Sequence, residues 1–280
     1  MTLALLLFAA SVFDYNQSAP LDVKVVKAEM REGGVEVRDI TFANTSGGRT
    51  AAYLVLPGKG DAPRPAALMV HWYAPEEQES NRTQYLGQAV ELARLGVVSL
   101  LPETMWSEPK WFPTRNRAND YDASVRSVKE LRRALDLLIS QPGVDQQRVA
   151  FVGHDFGAMY GAVLMTCDKR PTLYALQAFT DTMSHWYLYG PKLPAPERDA
   201  FVAKLKPMDA VEHLGKAAPA PVLLQFGTVD HHVPKERAEA IIKATSEPKK
   251  VIWYETEHGL NPQAVADRMT WLKEQWKLGR

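Results

Sequence analysis

The chain has 280 residues, 46% of them hydrophobic, enough to bury one large α/β core, and one domain with an insertion is the expected arrangement. Lys plus Arg and Asp plus Glu both total 33, so the formal charge is zero and the basic footprint of a nucleic-acid or anionic-membrane binder is missing. A single cysteine, Cys167, excludes an internal disulfide framework, and its apolar neighbours mark it as packing.

The N-terminus, "MTLALLLFAASVF", carries an apolar stretch of signal-peptide length that is too short to span a bilayer, where about 20 residues are needed. No Lys or Arg precedes it, although "FAAS" offers small residues for cleavage. Residues 1–20 are therefore read either as an export signal or as a segment packed on the domain, and localisation stays open between an exported and a cytoplasmic protein.

Three β-rich segments follow, "VKVVKAEM", "GVEVRDITFAN" and "TAAYLVLPG", split by the Gly33-Gly34 and Gly47-Gly48 turns, the pattern of an antiparallel edge. "PAALMVHW" is a continuous apolar run, as expected of a strand buried on both faces, followed by a helix from about Thr83 to Leu95 and the buried strand "GVVSLL". Strand, helix, strand implies parallel pairing. Val128, Leu131, Leu135 and Leu138 mark one face of a helix over Ala123 to Ile139, and "RVAFVG" is the next strand. A Gly-rich turn and helix lead to "YALQAF". The aromatic and proline-rich stretch from Thr180 to about Gly215 breaks the alternation and is expected to cover the sheet's carboxyl edge as a cap. Alternation resumes with "PVLLQFG", a helix from Lys235 to Thr245, "KVIWYE", and a last helix with Val265, Met269, Leu272 and Trp276 on one face.

In an open parallel sheet, ligands bind beyond the carboxyl ends of the strands. Three acid or base residues fall at such ends: Asp155 after "RVAFVG", Asp230 after "PVLLQFG" and His258 after "KVIWYE". In "GHDFG", Gly153 and Gly157 leave room for a sharp strand-to-helix turn that projects Asp155 at the positive end of the following helix. An ionised carboxylate there needs no base for its attack, unlike a serine hydroxyl. His258 would then activate water against the covalent ester, and Asp230 would orient its ring.

"GHDFG", "GTVDHHVP" and "EHGL" in this order resemble the nucleophile, acid and histidine segments of an α/β-hydrolase, and "AALMVHWYAP" resembles the segment carrying the oxyanion loop. The likeness covers roughly Gly34 to Lys277. The N-terminal strands and "ELARLGVVSLLPE" are most similar to the dienelactone hydrolase-like branch, whereas Gly-His-Asp-x-Gly looks like the elbow of haloalkane dehalogenases and epoxide hydrolases. The chain departs from the first branch in having Asp155 where Cys or Ser is usual, and from the oxyanion pattern in having Trp72 where Gly is usual.

The resemblance implies an α/β-hydrolase fold over residues 21–280: a mostly parallel central sheet flanked by helices, with a small cap at about 180–215. It implies a hydrolase of a small, mostly apolar substrate, with no cofactor, no metal, no nucleic-acid partner and no stable membrane span. Backbone N–H groups of Phe156 and of Trp72 or Tyr73 would form the oxyanion hole, and His71, Glu103, Tyr160, Trp186, Tyr187 and Tyr189 are expected near the substrate. A dehalogenase would take halide on Trp N–H groups, Trp72 with Trp106 or Trp186; an epoxide hydrolase would use Tyr187 and Tyr189 as acids; an esterase or lactonase agrees with the dienelactone hydrolase-like body. The competing non-enzyme reading is a binding protein in which Asp155 is a helix cap or ligand contact, since Asp after a strand commonly caps a helix, as expected for Asp61 or Asp145. His231 and His232 are read as solvated turn residues and His154 as a packed elbow residue.

Overall fold

The apolar runs expected to be buried strands form the middle of one sheet. The computed structural model describes residues 12–58, 63–190 and 192–278. Its strands are β1 (Lys24–Arg31), β2 (Val35–Ala43), β3 (Arg49–Leu56), β4 (Arg64–Val70), β5 (Val98–Pro102), β6 (Val144–His154), β7 (Leu173–Gln177), β8 (Val222–Gly227) and β9 (Lys249–Tyr254). They lie in the order β1-β2-β3-β5-β4-β6-β7-β8-β9. The first three are antiparallel and β3 pairs antiparallel with β5, whereas every pair from β5 to β9 is parallel. Strand order reverses at β4, which lies between β5 and β6, so the crevice of an open α/β sheet falls at its carboxyl end.

The helices are α1 (Leu86–Arg94), α2 (Trp111–Thr114), α3 (Asp120–Ile139), α4 (Phe156–Cys167), α5 (Met183–Tyr187), α6 (Ala195–Leu205), α7 (Lys235–Ala244) and α8 (Pro262–Trp276). Period-two alternation in the strands divides the core. Ala66, Leu68 and Val70 of β4 pack with α3, α4 and α7 on one face, while Ala67 and Met69 pack with α1 and α8 on the other. Val128, Leu131, Leu135 and Leu138 bury the expected face of α3, and Met269, Leu272 and Trp276 that of α8.

Several expectations change. Asp145 caps no helix; it lies in β6, where its carboxylate accepts from the Gln147 N–H and pairs with Arg148 at 2.7 Å. Asp61 lies outside the described residues, as do residues 1–11 of the N-terminal segment. Residues from Phe13 run along α3, where Arg132 donates to the Phe13 carbonyl at 2.6 Å and Arg133 to that of Ala19 at 2.7 Å. The segment from Thr180 to Gly215 is part of the domain's packing as well, with Met183, Tyr187, Leu205, Met208, Ala210 and Leu214 buried in the main core. No helix among the described residues is long and apolar enough to cross a membrane.

Candidate active site

β6 delivers Asp155 into a turn that only close backbone contacts can hold. At Asp155 φ is 54° and ψ is −120°, outside the usual basins of an L residue. A Cβ on Gly157 would meet the Val70 carbonyl oxygen at 2.2 Å, and one on Gly153 would meet Gly157 backbone at 2.7 Å, so both positions require glycine. The Asp155 N–H donates to the Gln177 carbonyl at 3.0 Å and its own carbonyl opens α4 by accepting from Met159. The side chain is 3% exposed. Its Oδ2 accepts from the Tyr73 N–H at 3.1 Å, whereas Oδ1 is buried without a partner. Burial pushes the carboxyl pKa up to about 6, against the opposing pull of His258 and of the Tyr73 and Phe156 amides.

His258 and Asp230 meet as the strand-end order predicts. The His258 Nδ1–H donates to Asp230 Oδ2 at 2.8 Å, leaving the lone pair of a neutral ring on Nε2. Asp230 Oδ1 accepts from the His232 and Val233 N–H groups at 2.8 and 3.0 Å. Burial works against ionisation of Asp230, but the His258 bond outweighs it and holds the carboxyl below its usual range. Burial likewise opposes the charged form of His258, yet Asp230 and then the field of Asp155 raise its pKa above the ordinary imidazole value. His154, 2% exposed, donates from Nε2 to the His258 carbonyl at 2.9 Å, tying the histidine loop to the elbow.

The loop after β4 separates the two candidate oxyanion donors. The Trp72 N–H donates to Gln84 Oε1 at 3.0 Å and is therefore engaged, which leaves Tyr73 and Phe156 facing Asp155. His71 does not face substrate: it is buried, donates from Nδ1 to the Trp72 carbonyl at 2.9 Å, and accepts on Nε2 from Ser107 at 2.8 Å. Burial drives its pKa down to about 4, so it is a neutral brace for the loop.

An aromatic wall stands beside the elbow, with the Phe156 ring 5.4 Å from Trp111, 5.9 Å from Tyr187 and 6.0 Å from Trp186. Trp186 also lies 5.5 Å from the His258 ring, and its Nε1 is buried without a partner. Trp106 is excluded as a halide donor because its Nε1–H donates to the His71 carbonyl at 3.0 Å. Tyr160 and Tyr187 are fully buried and their hydroxyls close a triangle with Ser124 at 2.9 to 3.0 Å, so neither is placed as an acid or pocket lining. Tyr189 is 45% exposed, with its ring 5.2 Å from that of His232. Glu103 is directed elsewhere: it pairs with Arg82 at 3.3 Å and lines a separate surface cavity with Arg49 and Arg126.

Two residues escaped the sequence reading. His232 is not a solvated turn residue, since its ring is 5.0 Å from His258 and 5.7 Å from Trp186. The adjacency of Asp230 in "VDHH" was the available signal. Arg268 is 3% exposed beneath the strand ends, donating to Gln177, Gln225 and Gln88 at 2.9, 3.1 and 2.6 Å. No sequence-local signal marks it, because its partners lie far along the chain.

No family model matches the chain. It is 21% identical over 243 residues to Esterase FrsA of Serratia proteamaculans, covering 77% of this chain and 54% of that protein. It is 21% identical over 272 residues to Esterase FrsA of Yersinia pestis, covering 86% and 60%. The chain thus spans little more than half the length of these curated relatives. Among solved structures, the acetyl xylan esterase from Paenibacillus sp. R4 superposes with a TM-score of 0.77 at 18% identity, covering 97% of this chain and 93% of that one. The acetyl xylan esterase 1 from Thermoanaerobacterium sp. JW/SL YS485 gives 0.75 at 14% identity, with the same coverage of 97% and 93%. The 2,6-dihydroxy-pseudo-oxynicotine hydrolase gives 0.61 at 16%, covering 92% and 68%. These likenesses establish the α/β-hydrolase fold: a mostly parallel central sheet flanked by helices.

Proposed function

We propose that the protein is a hydrolase of small, mostly apolar substrates that works through a covalent ester on Asp155, with His258 and Asp230 completing the triad. One observation carries this reading: Asp155 holds one carboxylate oxygen against the Tyr73 N–H while its other oxygen, buried, has no partner. In the first step Oδ1 forms a bond to the substrate carbon as the leaving group departs with the bonding electron pair. In the second, Nε2 of His258 takes a proton from water, hydroxide adds to the Asp155 carboxyl carbon, and the tetrahedral centre collapses to release an alcohol and the free carboxylate. The oxyanion of that intermediate is Oδ2, already against the Tyr73 amide with the Phe156 amide beside the carboxylate, and Asp230 stabilises the imidazolium. The Phe156, Trp111 and Trp186 rings supply the apolar wall, and Trp186, on α5, serves as the cap over His258 and as an N–H donor for a halide.

This placement favours attack at a saturated carbon bearing a halide or an epoxide oxygen, because Oδ2 stands where the carbonyl oxygen of an ester would need to sit. The second reading is ester hydrolysis, supported by the esterase names of the curated relatives and structural neighbours. It requires the ester carbonyl to displace Oδ2 from the amides and gives a mixed anhydride on Asp155.

Intact mass measurement of His258→Ala after exposure to haloalkanes, epoxides and esters separates these readings. An alkyl or hydroxyalkyl mass on Asp155 is the expected result, and an acyl mass selects the ester reading. An unmodified protein whose wild type also turns over none of the probes would make it a binding protein in which Asp155 is a ligand contact, since its side chain makes no capping bond to α4.

A further inference from the structure

Among the described residues, His232 combines three properties beside the triad. Its ring stands edge-on to His258 at 5.0 Å and also faces Trp186 at 5.7 Å and Tyr189 at 5.2 Å. Its backbone N–H is fixed by Asp230 Oδ1 at 2.8 Å, so the carboxylate that orients His258 also sets the position of His232. Its Nδ1 is buried and has no hydrogen-bond partner. A buried polar atom left unpaired is costly, and a group carrying that cost beside a reactive histidine calls for a ligand.

The chemistry of a carboxylate nucleophile supplies the need. A serine's proton passes through histidine to the departing oxygen, but Asp155 brings no proton, so negative charge builds on the leaving atom with nothing from the nucleophile to neutralise it. Of the donors near the elbow, the Tyr160 and Tyr187 hydroxyls are closed in their triangle with Ser124, and the Trp106 N–H is held by the His71 carbonyl. His232 remains.

We propose that His232 donates a hydrogen bond from its ring to the atom that leaves carbon when Asp155 attacks, an inference that rests on Asp155 being the nucleophile. As the new bond to Oδ1 forms, the old carbon–oxygen bond breaks and its electron pair moves to the departing oxygen. That oxygen is held by the His232 N–H until it takes a proton from water. Burial, and then the field of His258, lower the His232 pKa, so the ring acts as a neutral donor. The requirement is greatest for an alkoxide and least for bromide, which leaves as a stable anion.

The test compares styrene oxide with bromobutane as probes in wild type, His232→Leu and His232→Asn, reading kcat and KM separately. His232→Leu should lose about tenfold to hundredfold in kcat on styrene oxide and less than about threefold on bromobutane, the span expected when a hydrogen bond to a developing charge is removed. His232→Asn, which keeps an N–H donor, should recover part of the loss on the epoxide. Equal losses on both probes, or no recovery with Asn, would reduce His232 to packing and overturn the proposal while leaving Asp155 untouched. If the wild type turns over neither probe and His258→Ala carries no adduct, the nucleophile reading fails and this inference falls with it.

Discussion

Asp155 carries two opposed demands, and its pKa measures their balance. Burial lifts the carboxyl from 3.8 to about 6, so the folded protein keeps the neutral form up to about pH 6 although attack requires the anion. Turnover should therefore fall as pH drops through about 6, followed as kcat/KM against pH. The linkage has a definite sign: a carboxyl raised on folding makes the native state weaker above its folded pKa, and the penalty disappears below the unfolded one. Asp155→Asn should abolish turnover yet stabilise the protein by about 1–3 kcal/mol above pH about 6, with the gain shrinking towards zero below pH about 4. Denaturant titrations at both pH values check this; a variant less stable than wild type at neutral pH would show that the carboxylate is a structural ligand. His154 and His71 illustrate what a residue type alone cannot tell. Both histidines flank reactive elements in sequence, but burial keeps them neutral, and their backbone carbonyl partners fix them as braces.

At the scale of elements, the elbow and α5 set the geometry that the side chains use. The turn between β6 and α4 brings backbone so close to β4 that Gly157→Ala should cost about 3 kcal/mol or more, or prevent folding, because the new methyl group meets the rigid Val70 carbonyl at 2.2 Å. Thermal unfolding of the variant measures it. The aromatic helix α5 is anchored differently: the buried Asp209 Oδ1 accepts from the Met183 N–H at 2.8 Å. Asp209→Ala leaves that N–H unpaired and should destabilise by about 1–2 kcal/mol, raising KM as Trp186 loosens, whereas Asp209→Asn retains an acceptor and should keep KM. Equal KM in wild type and Asp209→Ala would show that α5 does not govern substrate binding.

For the whole molecule, the parts legible in sequence are those written in local periodicity. Buried strands such as "PAALMVHW" and "PVLLQFG" announce themselves by unbroken apolar runs, and once their ends are known, Asp155, Asp230 and His258 converge by topology alone. What stayed hidden depends on contacts between distant segments. Arg268 meets Gln88 across 180 residues and Gln177 across 91, and Glu103 turns to Arg82 rather than to the site. The stretch from Thr180 to Gly215 reads in sequence only as a cap because its proline and aromatic content breaks the alternation, although Tyr187 and Leu214 also complete the core. The central claim concerns one carboxylate, so the decisive measurement follows its oxygens. After many turnovers in water enriched in the heavy oxygen isotope, the proteolytic peptide containing Asp155 should gain the mass of one or two heavy oxygens, because each cycle hydrolyses an ester at its own carboxyl carbon. A peptide of unchanged mass, with heavy oxygen found only in the released product, would mean that water attacks the substrate directly and would contradict the account.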